Sequence, residues 1–162
     1  MKTETAIFAA GCFWGVEELI RKIDGVVKTQ VGYCGGDANT ALYNKVKTGE
    51  TSHAEAVMVV FNPDIVSYQK IIELFFELHD PTTMNQQGND IGSQYRSAIF
   101  YLNVEQMQIA ESIKMNLQQS KKWPKPIVTV ITEATEFFDA EDYHQDYLQK
   151  NPGGYTCHYW RK

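Results

Sequence analysis

The spacing of apolar positions changes several times along the chain, and each change marks an element. Thr5 to Ala10, TAIFAA, is a short apolar run of the kind a buried strand shows. Gly11 breaks it. Val16, Leu19, Ile20 and Ile23 then recur at i, i+3, i+4 and i+7, the stripe of an amphipathic helix. The opposite face pairs Glu17 with Arg21 and Glu18 with Lys22, acid first at i,i+4. Asp24-Gly25 reads as the C-terminal stop. The spacing therefore predicts a helix from near Cys12 to Asp24. Val26 to Tyr33 reads as a second strand that ends in the turn Cys34-Gly35-Gly36. Asp37 to Ser52 is polar and aperiodic, a long loop whose main aromatic is Tyr43. His53 to Phe61 is a Val-rich strand. Asn62-Pro63-Asp64 ends it and opens a helix with Tyr68, Ile71, Ile72 and Phe75 inward. Residues 80–94 form a second long polar loop. Tyr95 to Leu102 is the next strand, and Asn103 caps a helix striped by Met107, Ala110, Ile113 and Leu117. A basic turn, Lys121 to Pro126, leads to a strand over Ile127–Thr132. Asp139 caps a short helix over Ala140–Gln149. Asn151-Pro152-Gly153-Gly154 then opens a tail, about 151–162, expected to be mobile.

This order of strands and helices predicts an α+β fold. The expected form is a two-layer α/β sandwich with a mixed sheet, in the ferredoxin-like neighbourhood, carrying long functional loops and a flexible C-terminal tail. At 162 residues the chain reads as one domain, 1–162, long enough to bury a core without staples. With 43% hydrophobic and 22% charged residues it is neither disordered nor a disulfide scaffold. A net charge of −5 argues against a broad nucleic-acid surface. No apolar run approaches the roughly 20 residues of a membrane helix. The N-terminus lacks a secretory layout, so a cytoplasmic protein with no membrane partner is expected.

In a reducing compartment the three cysteines read as free thiols rather than bridges. There is no Cys-x-x-Cys or His-x-x-x-His pattern, and no metal site is expected. Cys12 follows a strand and one glycine and opens a helix, where first-turn N–H groups favour thiolate. The same position suits a small buried hydrophobe, and position alone does not separate the two readings. Phe13 and Trp14 follow; two adjacent large rings cannot face the same way, so at least one should lean toward solvent or a cleft. Glu55 shares a strand face with Val57, Val59 and Phe61. If that face is buried, its pKa rises and it becomes a general acid. If the strand begins after it, Glu55 is a solvated carboxylate at an edge. Tyr43 and Tyr95 each offer a hydroxyl from a loop or loop boundary, and Asp90 sits in an Asx-turn context. Cys157, beyond Pro-Gly-Gly, suggests a second redox thiol that resolves an oxidised first one.

Taken together, GCFWGVE, HAEAV, DPTT with QGNDIGSQYRSAI, AEDYHQDYL and the GYTCHYW tail resemble the peptide methionine sulfoxide reductases of the A type. The match runs in order over nearly the whole chain, and GCFW combined with QGND and QYRSAI is highly specific. The resemblance implies reduction of the S epimer of methionine sulfoxide, free or in proteins, without metal or organic cofactor. It implies that Cys12 attacks the sulfoxide sulfur and that Glu55 protonates its oxygen. Tyr43 and Tyr95 hydrogen-bond that oxygen, Phe13 and Trp14 take the ε-methyl group, and Asp90 faces the substrate backbone. Cys157 stands where many members carry a recycling cysteine, and thioredoxin is the usual reductant. Cys34, Ser52, Met84 and Gln86 depart from the residues common in that family. Cys34 ends the strand after the first helix, on the sheet edge expected to carry Cys12, and is a relay thiol or a packed small residue. Of the two thiols, Cys157 is favoured as the resolving one, because a rigid pair meets disulfide geometry only by chance.

Two readings from other classes compete. One is a cysteine hydrolase or transferase that uses Cys12 with His53 or His144 as base. The other is a non-catalytic ferredoxin-like ligand-binding domain.

Overall fold

The computed structural model describes residues 2–161. The elements run in the order β1 (Glu4–Ala10), α1 (Phe13–Ile20), β2 (Val26–Cys34), α2 (Tyr43–Val46), β3 (Ala54–Phe61), α3 (Tyr68–Glu77), β4 (Gln86–Gln87), β5 (Asp90–Ile91), β6 (Ser97–Tyr101), α4 (Val104–Ser120), β7 (Val130–Glu133), β8 (Phe137–Asp139) and α5 (Tyr147–Lys150). The main sheet has the order β7-β6-β1-β3-β2-β8. Its four central strands pair antiparallel, with β6 on β1, β1 on β3 and β3 on β2. Together with α1 and α3 these strands make the split β-α-β-β-α-β of a ferredoxin-like core, as the element order predicts. The crossover through α4 adds β7 parallel to β6, and β8 closes the other edge against β2. The sheet is therefore mixed.

Period-2 alternation divides the strands between two faces. Ala6, Phe8, Ala10, Val31, Tyr33, Val57, Val59, Phe61 and Ile99 join Phe13, Val16 and Ile20 of α1 and Ile71, Ile72 and Phe75 of α3 in the main core. Ile7, Ala9, Cys34, Ala54, Ala56, Ala98 and Phe100 form a smaller cluster on the reverse face. In α3 and α4 the apolar stripes face inward, and the helices begin where a side chain satisfies a first-turn N–H. Asn103 Oδ1 accepts from Gln106 N at 2.8 Å, as predicted. For α3 the cap is Ser67, whose Oγ accepts from Lys70 N at 3.0 Å. Asn62 instead closes a turn on Asp64 N, so that helix starts later than the sequence predicts.

Several boundaries differ. The first helix ends at Ile20, because the N–H groups of Lys22 and Ile23 bond back three residues, to Leu19 and Ile20. The 37–52 loop contains a 3₁₀ turn, Ala38–Thr40, and the one-turn α2. Within 80–94, Gln86–Gln87 and Asp90–Ile91 pair as a small hairpin. Tyr95 ends a 3₁₀ turn before its strand. The predicted strand over Ile127–Thr132 is shifted to Val130–Glu133, because residue 128 bonds to Pro81 O of the loop instead. Strand β8 is an element the sequence did not signal. Asp139 ends it rather than capping a helix, and the predicted Ala140–Gln149 helix is a 3₁₀ turn, Asp142–His144, followed by α5. The C-terminal segment has no helix or strand, yet it is pinned. His158 Nε2 donates to Ala10 O at 2.6 Å, Arg161 N donates to Glu77 O at 2.7 Å, and Trp160 packs on the core. Lys162, the last residue of the expected tail, lies outside the described residues.

Candidate active site

The site is built where β1 gives way to α1. Gly11 turns the chain at φ +98°, a conformation that side-chain-bearing residues rarely adopt. A Cβ there would also lie 2.7 Å from Gln87 Cβ. The turn leaves Cys12 as the N-cap of α1, with no side-chain cap bond of its own. Glu55 comes to the same place from β3, the strand hydrogen-bonded to β1. It sits opposite Tyr33 of β2 and is 2% exposed. Phe13 N donates to Glu55 Oε1 at 3.2 Å, which ties the helix start to the carboxyl. Of the two readings of Glu55, the buried one holds.

Cys12, Phe13, Trp14, Tyr43, Glu55, Asp90, Tyr95 and Tyr155 line one cavity of about 150 Å³. Seven of the sequence candidates thus meet around one small space, and Tyr155 joins them. Larger clefts exist elsewhere on the surface, but none has this chemistry on its walls. Behind the cavity wall stand Glu141 and Tyr147, to which the sequence reading gave no part in this site, and His144, which it considered only as the base of a hydrolase. Trp14 Nε1 donates to His144 Nδ1 at 3.0 Å, and the indole stacks on Tyr147 with ring centroids 3.8 Å apart. Glu141 accepts from Tyr33 Oη at 2.8 Å and from the Tyr43 backbone N–H at 3.0 Å. Glu141, His144 and Tyr147 all fall in AEDYHQDYL. Their spacing of three residues was the available signal that one face of that segment supports the site.

Burial dominates the electrostatics. Desolvation pushes the Glu55 carboxyl up to about 8, against the opposing Phe13 N–H and with a further push from Asp90. Desolvation also drives the Cys12 thiol well above its ordinary value, and the Glu55 charge adds to it, outweighing the Trp14 N–H beside the sulfur. The expectation that the helix N-terminus favours thiolate is therefore reversed in the buried site. The dipole acts through one turn, whereas burial removes water from the whole thiol. Tyr43 and Tyr95 are raised as well, chiefly by burial, so both hydroxyls keep their protons and remain donors.

The other thiols divide clearly. Cys34 is fully buried in the reverse-face cluster, with Sγ 3.8 Å from Thr135 O. Its strand neighbour Tyr33 faces the site side, so Cys34 points away from it. Cys157 is half-buried in the C-terminal segment, with Sγ 3.9 Å from Gln87 O and 4.0 Å from Asp90 Oδ2. No histidine lines the cavity. His53 uses both ring nitrogens, accepting from Gly36 N and bonding Asp37 O, and the Nδ1 of His144 is occupied by Trp14. Neither His53 nor His144, the bases of the hydrolase reading, lines the cavity beside Cys12. Among the described residues no cluster of His, Cys, Asp or Glu is arranged to hold a metal, and no helix is long and apolar enough to cross a membrane.

Comparison with known proteins decides the family. The family described as peptide methionine sulfoxide reductase matches residues 4–162. The chain belongs to the peptide methionine sulfoxide reductase family. A relative from Pseudomonas fluorescens, peptide methionine sulfoxide reductase MsrA, is 51% identical over 160 residues, covering 99% of this chain and 75% of its own. Reduced Mxr1 from Saccharomyces cerevisiae superposes with a TM-score of 0.94 at 40% identity, over 99% of this chain and 93% of that one. Mxr1 solved in complex with Trx2 gives a TM-score of 0.68 at 29% identity, covering 99% of this chain and 91% of that one. The cavity of this peptide methionine sulfoxide reductase is thus the place to look for its chemistry.

Proposed function

We propose that this chain reduces the S epimer of methionine sulfoxide, free or in proteins, with Cys12 as nucleophile and Glu55 as acid. One observation carries the reading: a buried thiol, a buried neutral carboxyl and two tyrosine hydroxyls share one small, partly aromatic cavity. A sulfoxide sulfur is a poor electrophile until its oxygen is protonated or strongly hydrogen-bonded. Tyr43 and Tyr95 supply donors held in place before reaction, the arrangement that stabilises developing charge most effectively. Glu55 supplies the proton. The raised pKa values of Cys12 and Glu55 fit together, because a neutral pair keeps charge out of a dry cavity and holds the proton the reaction needs.

The step balances as follows. Cys12 Sγ attacks the substrate sulfur while the sulfoxide oxygen takes the Glu55 proton, and Glu55 regains a proton from the thiol. The substrate S–O bond breaks, the oxygen passes to Cys12 as a sulfenic acid, and methionine leaves as the thioether. Cys157 then condenses with the sulfenic acid, releasing water and leaving a disulfide. Thioredoxin reduces that disulfide; the solved complex of the relative Mxr1 with Trx2 supports a partner of this kind.

Phe13 and Trp14 form the apolar wall suited to the ε-methyl group, and Asp90 is the polar group suited to the substrate backbone. With methyl, oxygen and main chain each given a place, the cavity reads the chirality of sulfur. A racemic methionine sulfoxide derivative supplied with dithiothreitol should therefore stop near half conversion, with the R epimer left. Chiral chromatography of the residue checks this, and consumption of both epimers at comparable rates would refute it.

Recycling gives a second prediction. A Cys12–Cys34 bond would require a strand side chain to cross the sheet, whereas Cys157 already lies beside the cavity residue Asp90. After oxidation with one equivalent of methionine sulfoxide, peptide mass mapping should find Cys12 joined to Cys157. Cys34→Ala should recycle with thioredoxin at close to the wild-type rate. Cys157→Ser should lose thioredoxin-driven turnover more than dithiothreitol-driven turnover. A dominant Cys12–Cys34 peptide would make Cys34 the resolving thiol.

A further inference from the structure

Asp90 lines the cavity of Cys12 and lies beside Cys157, a placement that substrate binding alone does not explain. It opens β5, in the small hairpin of the 80–94 loop, and lines the cavity together with Cys12. Its Oδ2 accepts from Tyr155 Oη at 3.2 Å and lies 4.0 Å from Cys157 Sγ. We propose that Asp90 is the proton shuttle of the recycling step, taking the proton of the Cys157 thiol and delivering it to the hydroxyl that leaves Cys12. This rests on the reading above, in which Cys157 resolves the Cys12 sulfenic acid.

The step is complete in atoms and electrons. The Cys157 S–H bond gives its proton to Oδ2, and the sulfur lone pair attacks Cys12 Sγ. The Sγ–Sγ bond forms as the Cys12 S–O bond breaks. The departing hydroxyl takes the proton from Asp90 and leaves as water, and the carboxylate is restored. Cys157 is oxidised as the sulfenic sulfur is reduced, so no further oxidant is needed.

Two other acceptors lie within reach of the thiol, Gln87 O and His158 Nδ1, each at 3.9 Å. A peptide carbonyl does not hold a proton at neutral pH. His158 donates through Nε2 to Ala10 O, which leaves Nδ1 with its lone pair, but the ring is buried and pushed down to about 4 by desolvation. Protonating it would bury a cation close to Arg161, whose charge already opposes one. Asp90 can change charge because its carboxyl is partly exposed. Burial raises it from its ordinary value, although the Tyr155 hydrogen bond works against that. Its Oδ2 lies 4.0 Å from the Cys157 thiol and it lines the same cavity as Cys12, so it stands beside the group that releases the proton and in the cavity where the proton is needed. Tyr155 is the positioning residue, since its hydroxyl fixes Oδ2 toward the thiol. The two uses of Asp90 are successive: the carboxylate is freed for the shuttle once methionine has left.

The test is a single turnover with one equivalent of methionine sulfoxide and no reductant. Methionine formation, dimedone-reactive Cys12 and disulfide are each followed by mass spectrometry. In the wild type the disulfide should track methionine, with little sulfenic acid trapped. In Asp90→Asn disulfide formation should slow about 10²-fold, the usual scale for losing a general base, and trapped Cys12 sulfenic acid should accumulate. Asp90→Glu should recover part of the rate, and formate added to Asp90→Ala should accelerate disulfide formation. Because Asp90→Asn also alters substrate binding, the recycling step is measured a second time from Cys12 sulfenic acid generated with stoichiometric hydrogen peroxide. Wild-type disulfide rates in Asp90→Asn from that starting point would overturn the proposal. So would a slow variant that neither the Glu side chain nor formate accelerates, which would make Asp90 a structural prop. If instead the wild type leaves methionine sulfoxide intact, or joins Cys12 to Cys34, it is the underlying reading that fails.

Discussion

Cys12→Ser should abolish methionine sulfoxide reduction while leaving the fold as stable as before, or more so. The two halves of this prediction come from the same position. Cys12 is the N-cap of α1, and its sulfur makes no capping hydrogen bond. Serine is among the preferred N-cap residues, because its oxygen accepts from a first-turn N–H, and a good cap is worth about 0.5–2 kcal/mol. The substitution also swaps sulfur for a smaller atom at a site only 8% exposed, so it introduces no clash. A serine hydroxyl, however, is a far weaker nucleophile near neutral pH, and no histidine on the cavity wall activates it. Single-turnover methionine formation should fall below about a thousandth of the wild-type rate, in keeping with the loss of an enzyme nucleophile. Thermal melting of the two proteins checks the first half and quenched-flow product analysis the second. A Ser variant that still reduces sulfoxide in a single turnover would remove Cys12 from the chemistry. A Ser variant that melts well below the wild type would mean that the sulfur has a packing role the cap does not replace.

The sequence carried the local half of this site and not the tertiary half. The turn from β1 through Gly11 to a helix opening at Cys12 was legible, because a glycine break followed by a 3.6-residue stripe is a local pattern. The face shared by Glu55, Val57, Val59 and Phe61 was legible from period-2 alternation alone. Whether that face was dry was not, because it depends on β3 being flanked on both sides, by β1 and β2, which no local pattern states. The Cys12 thiol shows the same limit in sharper form. Its helix-terminal position is local and pointed to thiolate, but the burial that reverses the sign comes from distant residues. Tyr43, Glu55, Asp90, Tyr95 and Tyr155, all far along the chain, line the cavity with it. Tyr43 looked like an aromatic in a structureless loop, since α2 is one turn long and only its Val46 is buried. What holds Tyr43 is Glu141, 98 residues later in the chain. The three-residue spacing of Glu141, His144 and Tyr147 marks one face of their segment, but what that face meets is set by hydrogen bonds to Trp14, Tyr33 and Tyr43, more than 90 residues away, so their part in the site emerges only once the fold brings them against the cavity wall.

Glu55→Gln should slow the chemical step by about 10²–10⁴-fold, the usual range for losing a positioned general acid. Gln keeps nearly the size of Glu and can still accept from Phe13 N, so the junction of β3 with α1 is preserved. What it cannot do is transfer a proton to the sulfoxide oxygen. The pH profile separates this role from simple packing. Burial holds the Glu55 carboxyl protonated up to about 8. Its acid function is therefore available below that value and is lost as pH rises through it. The wild-type single-turnover rate should bend downward above about pH 8, and the Gln variant should show a low rate without that bend. Stability should move in the same direction for a linked reason. Below the ordinary carboxyl value of 4.5 the group is neutral in both folded and unfolded chains. Between there and about 8 the unfolded chain ionises it freely while the fold keeps it protonated, so the wild type loses stability as pH rises across that window. The Gln variant carries no such penalty, and its melting temperature should gain on the wild type over the same interval. A Gln variant as fast as the wild type at pH 7 would exclude Glu55 as the acid. A slow variant that retains the bend near pH 8 would assign that titration, and the proton, to another group.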